Sequence, residues 1–300
     1  MSDINESETI LTETSTPNRR SRPIGFYLAG FWLSILILTG LFGWALPLPQ
    51  WDVASYDDLG VAPFSPGHLL GTSQDGYDLL AGLVNGARLS VFISFVSVLV
   101  GGSIGSFVGI TAAYFRGRYD AIVVSIFNVM LSIPNLVLSL AFLAVLAYSD
   151  ASNPASTSRR IGVLILSLTI VIIPILGRIS RGSAMQWSSR DFIVASKSMG
   201  TKNLTIIVKH VVPNVAPAIL AIGFLAVGSV IIVEGSLSIL GIGVPGGASW
   251  GSMLANGRGN IAFSPHEVYL PAICIALTVI SSNYFGDYIR AKLDLRESKI

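Results

Sequence analysis

The stretch DFIVASKSMGTKNLTIIVKHVVPN, residues 191–214, carries Asp191, Lys197, Lys202, Lys209 and His210 between long segments that are almost free of charge. Phe192, Ala195, Ser196 and Met199 fall at i, i+3, i+4 and i+7, one face of a helix. Gly200 then breaks the run, as a glycine at a helix C-terminus does, and Thr201 is placed to cap a new helix. Leu204, Ile207, Val208, Val211 and Val212 resume the helical spacing until Pro213 leads into the next apolar segment. The spacing predicts two short amphipathic helices meeting at Gly200. What they serve depends on which side of the rest of the chain they occupy.

That rest is apolar. Hydrophobic residues make up 52% of the 300 residues and charged residues 12%, with mean hydropathy +0.68, whereas soluble domains carry about 25% charged residues. So few charges cannot solvate the surface of two soluble domains, and the chain reads as an all-α membrane protein. A net charge of +2 is too small to imply a nucleic-acid partner. The single cysteine, Cys274, excludes an intrachain disulfide and any multi-cysteine metal site.

A helix needs roughly 20 apolar residues to cross about 30 Å of hydrocarbon. Residues 24–46, 89–115, 121–148, 161–177, 215–242 and 269–285 qualify, and Glu234 is the one formal charge within them. Six transmembrane helices are expected, because open sheet edges go unsatisfied in lipid. The fourth is short and contains Pro174. Residues 1–23 are polar, acidic up to Glu13 and then basic at Arg19, Arg20 and Arg22. A signal peptide starts with a short charged region and ends at a small-residue cleavage site; here a long tail precedes the apolar run and ALPLPQ follows it, so 24–46 reads as a retained anchor helix.

Orientation follows from the Lys and Arg between spans. With the N-terminus inside, fifteen of the 19 lie in cytoplasmic segments, and only Arg88, Arg159, Arg160 and Arg258 lie outside. Both termini and residues 191–214 are therefore expected in the cytoplasm. The expected organisation is a cytoplasmic tail (1–23), the anchor helix (24–46), an extracytoplasmic segment (47–88), a five-helix core (89–288) containing the cytoplasmic loop 178–214, and a cytoplasmic tail (289–300). Within 47–88, Leu79, Leu80, Leu83 and Val84 share one face and predict a short helix lying at the membrane interface. Residues 149–160, SDASNPASTSRR, read as a surface connection.

Several constellations inside the spans bear on function. Gly101, Gly105 and Gly109 recur every four residues, a face on which a second helix packs closely. GGSIG there also fits the G-x-S-x-G pattern of serine hydrolases, but that motif requires a strand–turn–helix and partners that a membrane helix lacks. An intramembrane hydrolase, also suggested by Gly286-Asp287, lacks a second intramembrane acid. Asn128, Ser132, Pro134 and Asn135 cluster in the third span, where polar groups face the bundle interior and bond neighbouring helices or line a pathway. Glu234 stands 19 residues beyond Val215, about 28 Å along a helix. That places it at the outer end, where it fits a capping or gate role better than the midplane relay an ion-coupled carrier requires. His68, His210 and His266 are scattered, and His266-Glu267 lacks the second histidine of a helical zinc site. No metal site is supported. Nor does a G-x-x-x-x-G-K-[ST] phosphate loop occur, so if nucleotide energy drives this protein another subunit binds it.

A basic juxtamembrane segment resting on anionic lipid would account for the lysines of 191–214 but not for Ala195, Ser196 and Ser198. Small residues let a rigid surface approach closely, which suits a cytoplasmic protein partner. VASKSMG, with thirteen residues to Pro213, resembles the EAA motif of bacterial ABC importer permeases: E-A-A, three residues, G, nine residues, I, one residue, L-P. Ala195, Gly200 and Pro213 are identical to it; Val194, Ser196, His210 and Val212 differ. LGTSQDGYDLLAGLVNGARLS, GSLSILGIGVP…SWGSML and NYFGDYIRAKLD are similar to segments of the second permease of peptide and nickel importers, the DppC/OppC group. Tyr77, where that group usually has arginine, and the shortened PGGAS depart from the pattern.

The resemblance runs from about Ile24 to Asp294 and implies a type I importer permease fold in the cell (inner) membrane. It implies a DppB/OppB-like permease as the other half of the pathway, two ATPases that use ATP and Mg, and an extracytoplasmic substrate-binding protein. The chain itself would bind no cofactor and perform no catalysis. By motif position, Asp191, Phe192, Val194, Ala195, Ser196, Met199, Gly200 and Pro213 form the ATPase-coupling loop, while Asn128, Asn135 and Glu234 are pathway or gate candidates. Di- or oligopeptides are the expected substrates, with nickel or another small solute as the alternative.

Overall fold

The computed structural model describes residues 24–147, 156–244, 246 and 249–297. The tail predicted over 1–23, residues 149–155 of the predicted connection, and residues 298–300 lie outside them. The helices are α1 (Ile24–Phe42), α2 (Leu79–Phe115), α3 (Gly117–Ser132), α4 (Asn135–Ala147), α5 (Thr157–Ser188), α6 (Asp191–Ser198), α7 (Asn203–Ile206), α8 (Val212–Ile239), α9 (Trp250–Gly257) and α10 (His266–Glu297), with a π turn at Ile207–Val211 between α7 and α8. β pairing among the described residues is limited to two isolated bridges in the segment before α2. Five helical stretches are long and apolar enough to cross a membrane, and α3 with α4 makes six if that bent pair is one span.

Several spans differ from the hydropathy reading. The expected interfacial helix over 79–84 is the first turn and a half of α2, whose 37 residues reach about 55 Å. Asp78 caps it by accepting from the Ala81 N–H at 2.8 Å, and its Gly82 and Gly86 make room for Met253 and Trp250. The fourth span is not short: α5 has 32 residues and includes Arg178 and Arg181, and the expected connection over 157–160 is its first turn. The third span bends by 88° between α3 and α4, because Pro134 supplies no N–H and disfavours helical backbone at Ile133, which is extended. α10 continues to Glu297, so most of the predicted C-terminal tail is helix.

The bundle is organised on α2 and α5. A methyl group added at Gly101, Gly105 or Gly109 would overlap the carbonyl oxygens of Thr169, Ile173 and Gly177, which share the four-residue period on α5. Gly177 in turn receives the Phe127 ring of α3. The Ser180 hydroxyl donates to the Ser106 hydroxyl at 2.8 Å inside the same contact. Small residues bring two backbones together, and in a membrane that packing replaces the hydrophobic effect as the driving force between helices. α8 packs on α2, α5 and α10, and α1 lies against α10 and the start of α2.

Candidate functional site

Residues 191–214 fold as two short helical pieces turning at Gly200. Asp191 sits in the first turn of α6 and Lys197 in its last, each opposing the partial charge of that helix end. Gly200 has φ +77°; its N–H donates to Lys197 O at 3.0 Å, and the Thr201 N–H donates to Ser196 O at 3.2 Å. This is the Schellman arrangement, which a left-handed glycine permits. Thr201 thus completes the end of α6 instead of capping α7, whose N-cap position is Lys202.

The faces differ from the sequence reading in one respect. Ser196 does not join Phe192, Ala195 and Met199. It lies buried beside Ile193, its hydroxyl donating to the Phe192 carbonyl at 2.8 Å. Ile193 is fully buried and seats the helix in a cluster with Tyr114, Ala184, Ile206, Ile207 and Val211. Lys197 places its ammonium 4.4 Å from the Tyr114 ring centre, and the Tyr114 hydroxyl donates to Asn203 Oδ1 at 2.9 Å. The outward face carries Asp191, Phe192, Val194, Ala195, Ser198 and Met199, with Phe192 edge-on to His210. The result is a rigid knob with small residues between apolar ones.

The π turn also redistributes the second helix. Pro213 offers no N–H and would clash with a carbonyl one turn back; instead the Val212 N–H reaches Ile207 O, five residues back. The shift buries Ile206, Ile207, Val211 and Val215 and leaves Leu204, Val208 and Val212 exposed. The 3.6-residue period expected one face from Leu204 to Val212; a five-residue step does not keep it.

At the opposite end of the bundle, Glu234 of α8 is fully buried. It accepts from Ser249 Oγ at 2.7 Å, from Ser238 Oγ at 3.2 Å and from Ser90 Oγ at 3.4 Å. Ser249 is the N-cap of α9. The Trp250 N–H donates to Ser90 Oγ and its indole to Leu83 O. One carboxyl therefore pins α9 between α2 and α8. Removing a buried acceptor from a hydroxyl costs roughly 1–3 kcal/mol, and Glu234 serves more than one. Glu234→Ala is expected to lower the Tm of the purified protein by several degrees, while Glu234→Gln, which keeps an acceptor toward Ser249, stays within a few degrees. Equal losses would show that the serine bonds do not matter. Glu234→Gln also tests a carrier mechanism, which predicts complete loss of transport.

The segment before α2 is tied down at the same end. His68 Nδ1 lies 2.7 Å from Asp78 Oδ2, and its Nε2 lies 3.4 Å from Asp58 Oδ2. The Gln74 N–H donates to Glu267 Oε1 at 2.7 Å, and His266 Nε2 approaches Thr72 O. The hydrogen bond to Asp78, before the charges of Asp78 and Asp58, holds the His68 imidazole above its ordinary value of 6.5. Asp58 is held below the usual carboxylate value, first by the Ser55 hydroxyl and then by His68. A raised folded pKa stabilises fully below the unfolded value, and the contribution fades as pH rises through the folded one. Amide exchange over residues 55–78, corrected for intrinsic rates, should therefore accelerate as pH rises above 6.5 and lose this dependence in His68→Gln. Identical profiles would rule the imidazole out.

Asn128 and Asn135 flank the α3–α4 break, both exposed, with no hydrogen bond to another helix among the described residues. The helix-to-helix bonding expected of them is therefore not made among the described residues. Ser103 of the G-x-S-x-G pattern lies exposed in the middle of α2, without the strand and turn that pattern requires. Among the described residues no group of three His, Cys, Asp or Glu is placed to hold a metal. Sequence reasoning missed a cavity of about 660 Å³ where Arg88 and Asp52 meet Trp51, Tyr77 and Phe92. It also missed the ion pair between Asp120 and Arg181, 61 residues apart; the latter left one sequence signal, an arginine inside an extended helix.

A bundle of helices long and apolar enough to span a membrane, with an exposed helical knob at one end, defines a multi-span membrane protein. Residues 105–299 match the family described as binding-protein-dependent transport system inner membrane component. The chain belongs to that family and is a permease subunit of an ABC importer, a multi-pass protein of the inner membrane. It is 31% identical over 266 residues to the glutathione transport system permease protein GsiD of Pectobacterium atrosepticum, covering 87% of this chain and 84% of the relative. The GsiD protein of Escherichia coli O157:H7 is 30% identical over 268 residues, covering 89% of this chain and 84% of the relative. A chain from an inward-facing structure of the MetNI methionine ABC transporter superposes with TM-score 0.59 at 19% identity, covering 71% of this chain and 97% of that one. That likeness concerns the fold. Permeases of this family are not themselves enzymes and work with ATPase and binding-protein partners.

Proposed function

We propose that this chain forms half of the translocation pathway of a peptide-type importer and receives ATP-driven movement through α6. The observation that carries the coupling role is the seating of α6: Ile193 is buried in a cluster with Tyr114 of α2 and Ala184 of α5, and Ser196 is buried too, while Phe192, Val194, Ala195 and Met199 stand outward. Asp191, Gly200 and Pro213 set the start of the knob, its turn and the entry to α8. The other half of the pathway is a related, DppB/OppB-like permease, facing the exposed Asn128 and Asn135, and Glu234 anchors the outer gate. Two cytoplasmic ATPases bind and hydrolyse ATP with Mg, and this chain holds no cofactor. Both termini face the cytoplasm, as the distribution of Lys and Arg indicates.

Glutathione is a tripeptide, and the GsiD relatives support a small peptide as cargo. The test is to co-purify the complex, identify its binding protein, and titrate that protein by calorimetry with glutathione, di- and tripeptides and nickel. ATP-dependent uptake of the ligand it binds follows in proteoliposomes. Binding of nickel alone would overturn the peptide reading; absence of any ATPase from the purified complex would overturn the coupling role.

A further inference from the structure

Between α6 and the break in the third span lies a continuous set of contacts, and one ion pair closes it. Arg181 donates from Nε to Asp120 Oδ1 at 2.5 Å and from Nη2 to Asp120 Oδ2 at 2.7 Å. Both side chains are about four-fifths buried, at 24% and 18% exposure, so the pair is shielded from solvent screening and its fork geometry fixes a direction as well as a distance. Asp120 is in the first turn of α3. Arg181 is one turn beyond Gly177, against which Phe127 of α3 packs. α3 is thereby held on α5 at two heights, and Tyr119 adds a third tie through its hydroxyl, 3.1 Å from Thr111 Oγ1 on α2.

α5 leads into α6 through Ser189 and Arg190 alone, so displacement of the knob arrives at the end of α5 that carries Arg181. α4 is anchored elsewhere: Leu143 is buried with Leu164 and Leu168 near the start of α5 and with Val230 of α8. Between these two anchored pieces the backbone has no continuous helical ladder. Ile133 N–H reaches only Met130 O, at 3.4 Å, and Pro134 donates nothing. A change in the angle of α3 must therefore be absorbed at Ile133–Pro134, where Asn128, Ser132 and Asn135 are exposed. Hinges are the few residues that take up such changes.

We propose that Asp120 and Arg181 are positioning residues that make α3 follow α5, so that movement of the docked knob bends the third span at Ile133–Pro134. The proposal rests on the reading of α6 as the ATPase-docking surface. A bundle of packed helices offers many routes for coupling; this one is separable, because removing the pair leaves the Phe127–Gly177 packing in place. Arg181→Lys keeps the charge and loses the fork, and exchange of the two residues (Asp120→Arg with Arg181→Asp) restores opposite charges.

The experiment places nitroxides at Ile126 and Val145, both exposed, on either side of the break, with Cys274→Ser to remove the native thiol. Distances are measured by electron paramagnetic resonance in the whole importer complex, nucleotide-free and trapped with ATP and vanadate. The unaltered pair should give a distance change on trapping. Asp120→Asn and Arg181→Gln should assemble and trap nucleotide normally, yet lose more than half of that change. Arg181→Lys should fall between, and the exchange should recover most of it. A full change in the single variants overturns the proposal. So does failure of the single variants to assemble, which would make the pair a clamp required for folding, and so does the absence of any change with the pair intact. If Ala195→Arg leaves ATPase binding and trapping untouched, the docking assignment itself has failed; if only the Asp120 and Arg181 variants are silent, only this link has.

Discussion

Ala195→Arg should strip the ATPase from the complex, with at least a tenfold loss of co-purified ATPase at unchanged membrane insertion. Ala195 lies on the outward face of α6 between Phe192 and Met199, so a protein seated on those two side chains covers it. An arginine there is either buried without a counter-charge or forces the partner away. An uncompensated buried charge costs about 3–5 kcal/mol, and each 1.4 kcal/mol is about tenfold in affinity. The folded permease is not at risk, because the buried face of α6 is made by Ile193 and Ser196. Gly200→Val should give a smaller loss through a different route: φ +77° with no atom near the missing side chain makes the penalty conformational, and it should loosen the turn between α6 and α7. Lys209→Ala, exposed on the π turn, is the control expected to bind normally. An Ala195→Arg complex with its full ATPase complement and hydrolysis stimulated by the loaded binding protein would remove α6 as the docking surface.

What the sequence made legible follows the range over which each signal acts. Span positions came from hydropathy summed over some twenty residues, which tolerates local error, and Gly200 from a backbone conformation few other residues adopt. The glycine period in α2 was equally direct, since its partner surface, the carbonyls of Thr169, Ile173 and Gly177, repeats at the same interval. Span ends were less legible because hydropathy stops at the first charge. The hydropathy-defined fourth span stops at Gly177, before Arg178, whereas α5 runs on to Ser188 with Arg181 meeting Asp120 across helices. The orientation of α6 was misjudged at Ser196, where an eight-residue helix gives too few repeats to separate two neighbouring faces. The second face shifted for another reason: Pro213 is accommodated by a π turn, and periodicity assumes a constant step. Glu234 was placed by counting residues, but its partner Ser249 sits beyond a glycine- and proline-rich turn that has no period to read.

Gly105→Leu should prevent the folded bundle from accumulating, the largest stability effect expected from a single substitution in the spans. At Gly105 even a methyl group would overlap the carbonyl oxygen of Ile173 and crowd the Gly177 nitrogen at 3.1 Å. Neither is the end of a flexible side chain, so relief requires the helices to separate. Separation is costly here in a way that it is not in a soluble core. Lipid tails solvate leucine as well as a neighbouring helix does, and close backbone contact is what favours association. Overpacking in well-packed cores costs about 1–3 kcal/mol, and the adjoining contacts at Gly101 and Gly109 would be lost with it. Gly105→Ala should be intermediate. Gly162→Leu is the matched control: it lies on α5 itself with no atom within 4 Å of the position a Cβ would occupy, and it should leave yield and Tm unchanged. Detergent-extracted protein, followed by size-exclusion profile and thermal melting, separates these outcomes. A monodisperse Gly105→Leu protein at normal yield would mean that α2 and α5 do not meet backbone to backbone. Since α5 leads into α6 and also holds α3, that result would leave the docking surface we propose without a rigid route to the break at Ile133–Pro134.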